Sequence, residues 1–200
     1  ARVRQFSEAD LELLVSLGAV AALHLRNLAL AEEAAERKRL EEELALARRI
    51  QIALLPAKLP VIPGYELVAG NVPSRHVSGD LYAIAPHTES GRYSLFVADV
   101  SGKGIAASLL GASLEALAAG PIEVGYAPDQ ICNRVSRRLW ARTPPEKYAT
   151  AFFANLDPAT HNLAWTNAGH NPTLVVRNDG RIERLEKGGP PLGILPAVEF

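Results

Sequence analysis

Apolar residues recur at helical spacing along the first quarter of the chain and at strand-like spacing along the rest. Residues 8–54 contain no proline and one glycine, Gly18, whereas all 14 prolines lie after Leu55. Ser7 precedes the first stretch and is a favourable helix N-cap. The pattern therefore predicts one long helix that begins near Glu8, and a differently built region that begins near Pro56.

The predicted helix has two parts of different character. Residues 11–30 are apolar around most of the helix circumference, which predicts a surface that is buried or paired with another chain. Residues 31–49 are rich in charge, but a seven-residue spacing of apolar positions persists, which is typical of a parallel dimeric coiled coil. A single solvated helix is the alternative. The spaced positions are Leu23, Leu30 and Leu44 in one series and Leu40, Ala47 and Leu54 in the other.

After Pro56 the chain alternates short runs of β-branched and aromatic residues with glycine, proline, asparagine and aspartate. Two predicted helices, residues 105–119 and 129–142, interrupt these runs. This order predicts an α+β domain in which the helices pack on an antiparallel sheet. The predicted strands are residues 65–69, 80–85, 93–98, 149–156, 163–167 and 174–177.

Composition and charge narrow the classes of function. The chain is 48% hydrophobic and 22% charged, as in a folded globular protein. Its net charge of −1 gives no general attraction to nucleic acid, so we expect no nucleic-acid partner. Cys132 is the only cysteine, which excludes an internal disulfide and favours a cytoplasmic location. Because Glu12, His24 and Arg26 interrupt the most apolar stretch, we predict no membrane-spanning helix.

Two aspartates stand at the ends of strands that are predicted to be neighbours. Asp80 opens one strand and Asp99 closes the next, so antiparallel pairing brings both to the same edge of the sheet. Gly79 and Gly102 flank them and allow the backbone to approach a ligand closely. Two carboxylates with free carbonyl oxygens suit Mg²⁺ or Mn²⁺. The alternative is that each aspartate only serves a turn.

Three further residues are candidates for a role beside this pair. Lys103 follows Gly102, as the lysine of a phosphate-binding P-loop follows a glycine. A P-loop also requires a serine or threonine after the lysine, and here the next residue is glycine. Lys103 therefore either faces solvent or contacts a substrate phosphate. His170 and Asn171 lie in a turn after a predicted strand, where His170 either takes part in acid–base or metal chemistry or holds the loop by a hydrogen bond.

Six motifs follow one another in the second region: LLP at 54–56, SGDLY at 78–82, ADVSGKG at 98–104, YATAFFANLDP at 148–158, NAGHNP at 167–172 and GGPPLGILP at 188–196. In this order they resemble a bacterial PPM-family serine/threonine phosphatase of the RsbU/SpoIIE-like type. The resemblance covers residues 50–200. Residues 6–33 resemble the last helix of a GAF-type sensor domain that leads into a signalling helix.

This resemblance implies an αββα sandwich with a centre of two Mn²⁺ or Mg²⁺ ions at one edge. It implies that Asp80 binds the first ion, that Asp99 bridges both, and that Val100 contributes its backbone carbonyl. It also implies that a metal-activated water attacks phosphorus without a covalent enzyme intermediate. Arg75 is a candidate for orienting the phosphate, and a surface ion pair is the alternative for this residue.

The resemblance implies that the family pattern continues beyond Phe200 with a strand, a TDG-type segment and a late aspartate, which together supply two further aspartates and complete the metal site. The chain starts at Ala1 and contains no methionine, so we expect a piece of a longer protein. We divide it into residues 1–30, the last helix of a sensor domain, residues 31–55, a helical connector, and residues 56–200, the first part of a phosphatase domain. On this interpretation the chain holds half of the carboxylate ligands and has little or no turnover.

The implied function is hydrolysis of phosphoserine or phosphothreonine on a bacterial regulatory protein of the anti-sigma-factor-antagonist type. The upstream sensor would control this activity through the connector, and we expect a homodimer formed by the N-terminal helix. The alternative is a catalytically incomplete pseudophosphatase that serves as a dimerisation or partner-binding module.

Overall fold

The computed structural model describes residues 7–72 and 77–200. It contains one long helix, followed by strands and two shorter helices. The elements are α1 Glu8–Leu54, β1 Asp80–Pro86, β2 Tyr93–Val100, α2 Ile105–Val124, α3 Pro128–Trp140, β3 Ala149–Asp157, β4 Asn162–Ala168, β5 Thr173–Val176, β6 Ile182–Leu185 and β7 Gly188–Gly189.

Helix α1 is continuous over 47 residues and begins where the sequence predicts. The Ser7 hydroxyl accepts a hydrogen bond from the backbone N–H of Asp10 at 3.3 Å, and the Asp10 carboxylate accepts one from the Ser7 N–H at 2.8 Å. These reciprocal bonds satisfy amides that a helix start leaves without partners. In the part of the chain that the structure describes, no residue of α1 is buried. Residues 1–45 and 46–200 form two separate compact units.

The second unit is built on a five-stranded sheet in the order β1-β2-β3-β4-β7. Strands β1 to β4 are antiparallel to their neighbours, and β7 pairs with β4 in parallel. Helices α2 and α3 lie in the connection between β2 and β3. Strands β5 and β6 form a separate antiparallel hairpin, whose turn includes Gly180 at φ 83°, a conformation that suits glycine.

The sheet is covered on both faces. One face packs against α2 and α3, where Phe96 of β2 stacks on Phe153 of β3 with ring centroids 4.4 Å apart. The opposite face of β3 and β4 carries a smaller cluster that includes Phe152 and packs with Leu185 of the hairpin. A helical layer, the main sheet and the hairpin therefore stack in that order, which confirms the predicted α+β class.

The structure differs from the sequence prediction in three places. Residues 65–69 form no strand: Val68 is 89% exposed, and the segment makes no ladder with β1. Strands β6 and β7 are not among the predicted strands, because β6 has two charged residues, Glu183 and Arg184, between its apolar ends and β7 is two glycines. Helix α2 runs past Pro121 and ends only at Gly125, whose left-handed conformation closes the helix.

Two of the helices, α1 and α2, are long and apolar enough to cross a bilayer by length and composition alone. Helix α2 contributes Ala107, Leu114, Ala118 and Ile122 to the core of the second unit, as the core helix of a globular domain does. The apolar window of α1 has no buried residue. The expectation of no membrane-spanning helix stays a prediction.

Candidate active site

A row of polar residues crosses three strands of the main sheet at one end. Asp80 of β1 is directly opposite Asp99 of β2, which is directly opposite Thr150 of β3. Their neighbours along the strands, such as Leu81 and Val100, point to the helices and are buried. Because side chains alternate between the faces of a sheet, the row lies on the face away from the helices.

The two aspartates interact electrostatically. Burial raises the pKa of Asp99, and the neighbouring charge of Asp80 together with a hydrogen bond to it raises the pKa further. Ser78 holds the other carboxylate: its hydroxyl donates to Asp80 Oδ2 at 3.0 Å and accepts from the Asp80 backbone N–H at 3.1 Å. A cation placed between the two carboxylates would favour the ionised state of Asp99 that burial and Asp80 disfavour.

Gly79 brings the strand ends into close contact. A Cβ atom at Gly79 would lie 2.7 Å from the carbonyl oxygen of Val100 and 3.3 Å from Asp99 Oδ1. The Val100 N–H also donates to the Gly79 carbonyl at 3.3 Å. The position is therefore open only to glycine, and it leaves the Val100 carbonyl beside the carboxylates.

The end of α1 reaches the same place through Gln51. The side-chain Oε1 of Gln51 accepts the backbone N–H of Ser78 at 2.9 Å, and its Nε2 donates to the Ser78 carbonyl. Ser78 is 7% exposed, so these bonds satisfy main-chain groups that water does not reach. Gln51 thus fixes the residue that in turn holds Asp80.

His170 lies at the other end of the polar row. Its Nδ1 is 2.8 Å from the Thr150 hydroxyl, at hydrogen-bond distance. Burial lowers the pKa of His170, although the charges of Asp99 and Asp80 act in the opposite direction. Buried Asn167 fixes the loop by accepting the His170 N–H at 2.7 Å and donating to the His170 carbonyl at 3.1 Å.

A cleft of about 200 Å³ opens at the aspartates. It brings together five of the residues that the sequence singled out, together with Val77 and Ser78. Asn171 is exposed, and no hydrogen bond of its side chain is seen within the described ranges. Arg75 lies outside the described residues. The five are Gly79, Asp80, Asp99, Gly102 and Lys103.

The site fits part of a centre for a hard divalent cation. Asp80, Asp99 and the Val100 carbonyl supply oxygen donors, which Mg²⁺ and Mn²⁺ prefer. Burial, and next the charge of Asp80, raise the pKa of Asp99, and a bound cation would offset both effects. Within residues 7–72 and 77–200, no third acidic, histidine or cysteine side chain joins them at metal-binding spacing. The described residues therefore fit part of the ligand set of a two-ion centre.

Sequence reasoning missed three residues that hold this site in place: Gln51, Thr150 and Asn167. Gln51 is a polar residue between Ala47 and Leu54 in the apolar half of the seven-residue pattern, and a polar residue there is itself a signal of a specific contact. Thr150 alternates with Ala149 and Ala151 in β3, which marks it as facing away from the helices.

The fold is that of a PP2C-type phosphatase domain. The SiaA-PP2C domain of Pseudomonas aeruginosa superimposes with a TM-score of 0.64 at 21% identity, over 80% of this chain and 65% of that one. The crystal structure of RsbX in complex with magnesium gives a TM-score of 0.50 at 16% identity, over 61% of this chain and 57% of that one. At these identities the likeness concerns the fold alone.

The sequence comparisons define the family. The model of the family described as Stage II sporulation protein E (SpoIIE) matches residues 89–200, more than half of the chain, and the chain belongs to this family. It is similar to two proteins of Bacillus subtilis (strain 168) named phosphoserine phosphatases: RsbU, 28% identical over 80% of this chain, and RsbP, 30% identical over 80%. These matches cover 48% and 40% of the relatives, so the chain spans less than half of their length. The resemblance to an RsbU/SpoIIE-like protein is confirmed, whereas the upstream GAF-type helix stays a prediction.

Proposed function

We propose that the protein hydrolyses phosphoserine or phosphothreonine on a bacterial regulatory protein in a metal-dependent reaction. The observation that carries this proposal is the direct pairing of Asp80 with Asp99 beside the Val100 carbonyl, in a chain that belongs to the SpoIIE family. The names of RsbU and RsbP, both phosphoserine phosphatases, support the same reaction class.

Each residue of the site has a definite part in this reaction. Asp80, Asp99 and the Val100 carbonyl would hold the ions, and Ser78 keeps the Asp80 carboxylate in place through its hydroxyl. The bound ions supply an activated water and neutralise the phosphoryl oxygens. Water adds to phosphorus as the bond to the serine or threonine oxygen breaks, so the products are a free hydroxyl and inorganic phosphate. Lys103 is exposed at the cleft, where its charge attracts the phosphate dianion.

We propose two ions, Mn²⁺ or Mg²⁺, as the cofactors. The donor set is all oxygen, which favours hard cations over zinc or copper. The magnesium in the RsbX structure, on the same fold, supports this choice. The further ligands that a second ion requires are not among the described residues.

For the substrate we propose a phosphorylated protein of the anti-sigma-factor-antagonist type, in the cytoplasm. The support is the similarity to RsbU and RsbP, which are named as phosphoserine phosphatases. The single, buried Cys132 is compatible with a reducing compartment.

We further propose that residues 1–30 end a sensor domain and that residues 31–55 connect it to the catalytic domain, residues 56–200, in a homodimer. The exposed apolar residues of α1 support pairing with a second copy. The hydrogen bonds from Gln51 to Ser78 supply a physical link by which a change at the end of α1 alters the position of Asp80.

One observation favours a second function. Because only two of the described acidic residues line the cleft, the chain is also compatible with a pseudophosphatase that acts as a dimerisation or partner-binding module. In that case the aspartates would bind at most one ion, and no hydrolysis would follow.

Hydrolysis of a generic phosphoester with Mn²⁺ separates the two functions. We would compare this chain with the full-length protein, each with and without Asp99→Asn. Turnover by the full-length protein that Asp99→Asn abolishes supports the phosphatase. If the full-length protein turns over neither the phosphoester nor a phosphoprotein, the phosphatase proposal fails and the module is favoured.

A further inference from the structure

Lys147 is a half-buried lysine at the edge of the active-site cleft. Its Nζ lies 3.0 Å from the position that a Cβ atom of Gly102 would occupy. Gly102 itself lines the cleft with Asp80 and Asp99. The ammonium group therefore lies next to the loop that carries Lys103, although Lys147 itself is not one of the residues that line the cleft.

The position of Lys147 is fixed by main-chain hydrogen bonds. The Lys147 N–H donates to the Pro144 carbonyl at 2.9 Å, which closes a turn. The next residue, Tyr148, forms two bonds with Ser101: its N–H donates to the Ser101 hydroxyl at 3.0 Å, and its carbonyl accepts the Ser101 N–H at 2.9 Å. Since Ser101 is two residues after Asp99, the loop that carries Lys147 is tied directly to the metal-site strand.

The charge of Lys147 has no counter-ion among the residues that the structure describes. Its ammonium makes no ion pair and no hydrogen bond with any residue in the ranges 7–72 and 77–200. A half-buried cation loses part of its hydration, so an anion that reaches it is bound more strongly than at a fully exposed lysine. Because a lysine side chain is long and flexible, the ammonium of Lys147 can reach the cleft that Gly102 and Lys103 line.

We propose that Lys147 is a phosphate-binding residue of this site, which together with Lys103 contacts the oxygens of a phosphomonoester and of the phosphate product. The proposal rests on the phosphatase function proposed above and adds one residue to it. Gly102 is required beside it because, at φ 95°, a side chain there would be strained and would displace the lysine.

The test measures binding of inorganic phosphate, and separately of a phosphoserine peptide, to this chain in Mg²⁺ by isothermal titration calorimetry. Lys147→Gln should weaken phosphate binding about 3- to 10-fold, because one charge-assisted contact is lost. Lys147→Arg keeps the charge and should stay within about 2-fold of the parent. Lys58→Gln is the matched control, since Lys58 is exposed and has no atom within 4 Å of the Cβ position of Gly102. Equal thermal midpoints for the variants verify that each is folded.

Three results overturn the proposal: no measurable binding of phosphate by the parent chain, unchanged binding by Lys147→Gln, or an equal loss with Lys58→Gln. Binding of the peptide but not of free phosphate would assign Lys147 to peptide recognition and would also count against the proposal.

Hydrolysis by the full-length protein distinguishes failure of this proposal from failure of the phosphatase function. If Asp99-dependent turnover is present but Lys147→Gln changes neither phosphate binding nor KM, only the inference on Lys147 is wrong. If Lys147-dependent binding is found without turnover, the anion site remains and the phosphatase function fails.

Discussion

Gln51 and Ser78, 27 residues apart in the sequence, are joined by two hydrogen bonds between one side-chain amide and one main-chain residue. The contact links the last turn of α1 to the residue that holds Asp80. An amide side chain suits this task because it offers a donor and an acceptor at once, matching the N–H and C=O of a peptide group. The link makes the geometry of the proposed metal site dependent on where α1 ends.

Replacing Gln51 should therefore weaken metal binding without touching a ligand. Gln51→Ala leaves the buried N–H and C=O of Ser78 without partners, which should lower the free energy of unfolding by about 1–3 kcal/mol. Because Ser78 positions Asp80, we also expect Mn²⁺ affinity to fall about 10-fold. Urea unfolding and Mn²⁺ titration measure the two effects. Arg49→Ala, an exposed change in the same helix, should alter neither, and equal losses in both variants would contradict the role of Gln51.

Asp99→Asn should separate the metal response from folding. In the metal-free protein the variant removes a partly desolvated charge that lies beside Asp80, so its stability should be equal or slightly higher. Mn²⁺ at 100 times its Kd should stabilise the parent by about 2.7 kcal/mol and the variant by much less. Thermal unfolding with and without Mn²⁺ measures this difference. Asp157→Asn, at the far end of β3, should keep the metal response; its loss there would show that the response is not specific to the site.

Gly79→Ala should damage the site through the backbone. The new Cβ would lie 2.7 Å from the Val100 carbonyl oxygen, so the strand ends must separate and the carbonyl must move. We expect Mn²⁺ affinity to fall by at least about 10-fold, because the Val100 carbonyl would no longer be positioned to bind the ion. Gly111→Ala is the matched control, because its Cβ would be 3.4 Å from Leu81 and alanine is the better helix former. Unchanged metal binding by Gly79→Ala would show that the Val100 carbonyl is not a ligand.

How far the sequence predicts this molecule depends on how local the determining interaction is. The proximity of Asp80 and Asp99 could be predicted from the sequence, because each lies at a strand end and antiparallel pairing brings those two ends together. Strand β6 could not, because the adjacent Glu183 and Arg184 break the alternation of apolar and polar residues, and its only buried residue, Leu185, packs in a cluster with Phe152 of β3. The contact of Gln51 with Ser78 is likewise non-local, and no spacing in the sequence encodes it.

The composition of a segment can suit a strand although its surroundings do not. Residues 65–69 carry strand-forming residues, yet they make no ladder, and the Asp80 carbonyl at the edge of β1 accepts instead from the side chain of Asn71 at 2.8 Å. Strand propensity reflects packing and pairing more than the isolated backbone. The prediction was wrong because it judged the residues without the partner that a strand needs.

His87 should make the domain sensitive to acid. It is 8% exposed, and its ring nitrogens lie 2.9 Å from the Ser94 hydroxyl and 3.1 Å from that of Ser90. Burial, and next the charge of Arg92, lower the pKa of His87. Below pH about 6.5 the unfolded chain therefore binds a proton at His87 more readily than the folded chain does. The free energy of unfolding should fall as the pH decreases below that value.

His87→Gln tests this origin of the acid sensitivity. One proton contributes at most about 1.4 kcal/mol per pH unit, and the variant should lose that part of the slope between pH 6.5 and 5. Urea midpoints at pH 7.5 and 5.0 measure it, with other histidines contributing equally to both proteins. His24→Gln, exposed on α1, should keep the full slope. An identical slope in His87→Gln would show that other groups cause the acid response.

The seven-residue spacing of α1 should make the protein a dimer. Leu23, Leu30 and Leu40 are each at least 53% exposed in the single chain, and covering such a seam with a second copy removes apolar surface from water. Light scattering should give twice the chain mass of 21.5 kDa, and removal of residues 1–45 should return a monomer.

The double variant Leu23→Glu, Leu30→Glu should dissociate the dimer. Leu25→Glu should not, because Leu25 is 68% exposed but lies off the seam. A monomeric parent chain at high concentration, or equal dissociation by Leu25→Glu, would exclude this seam as the dimer interface, and sensor control through a paired helix would then need another route.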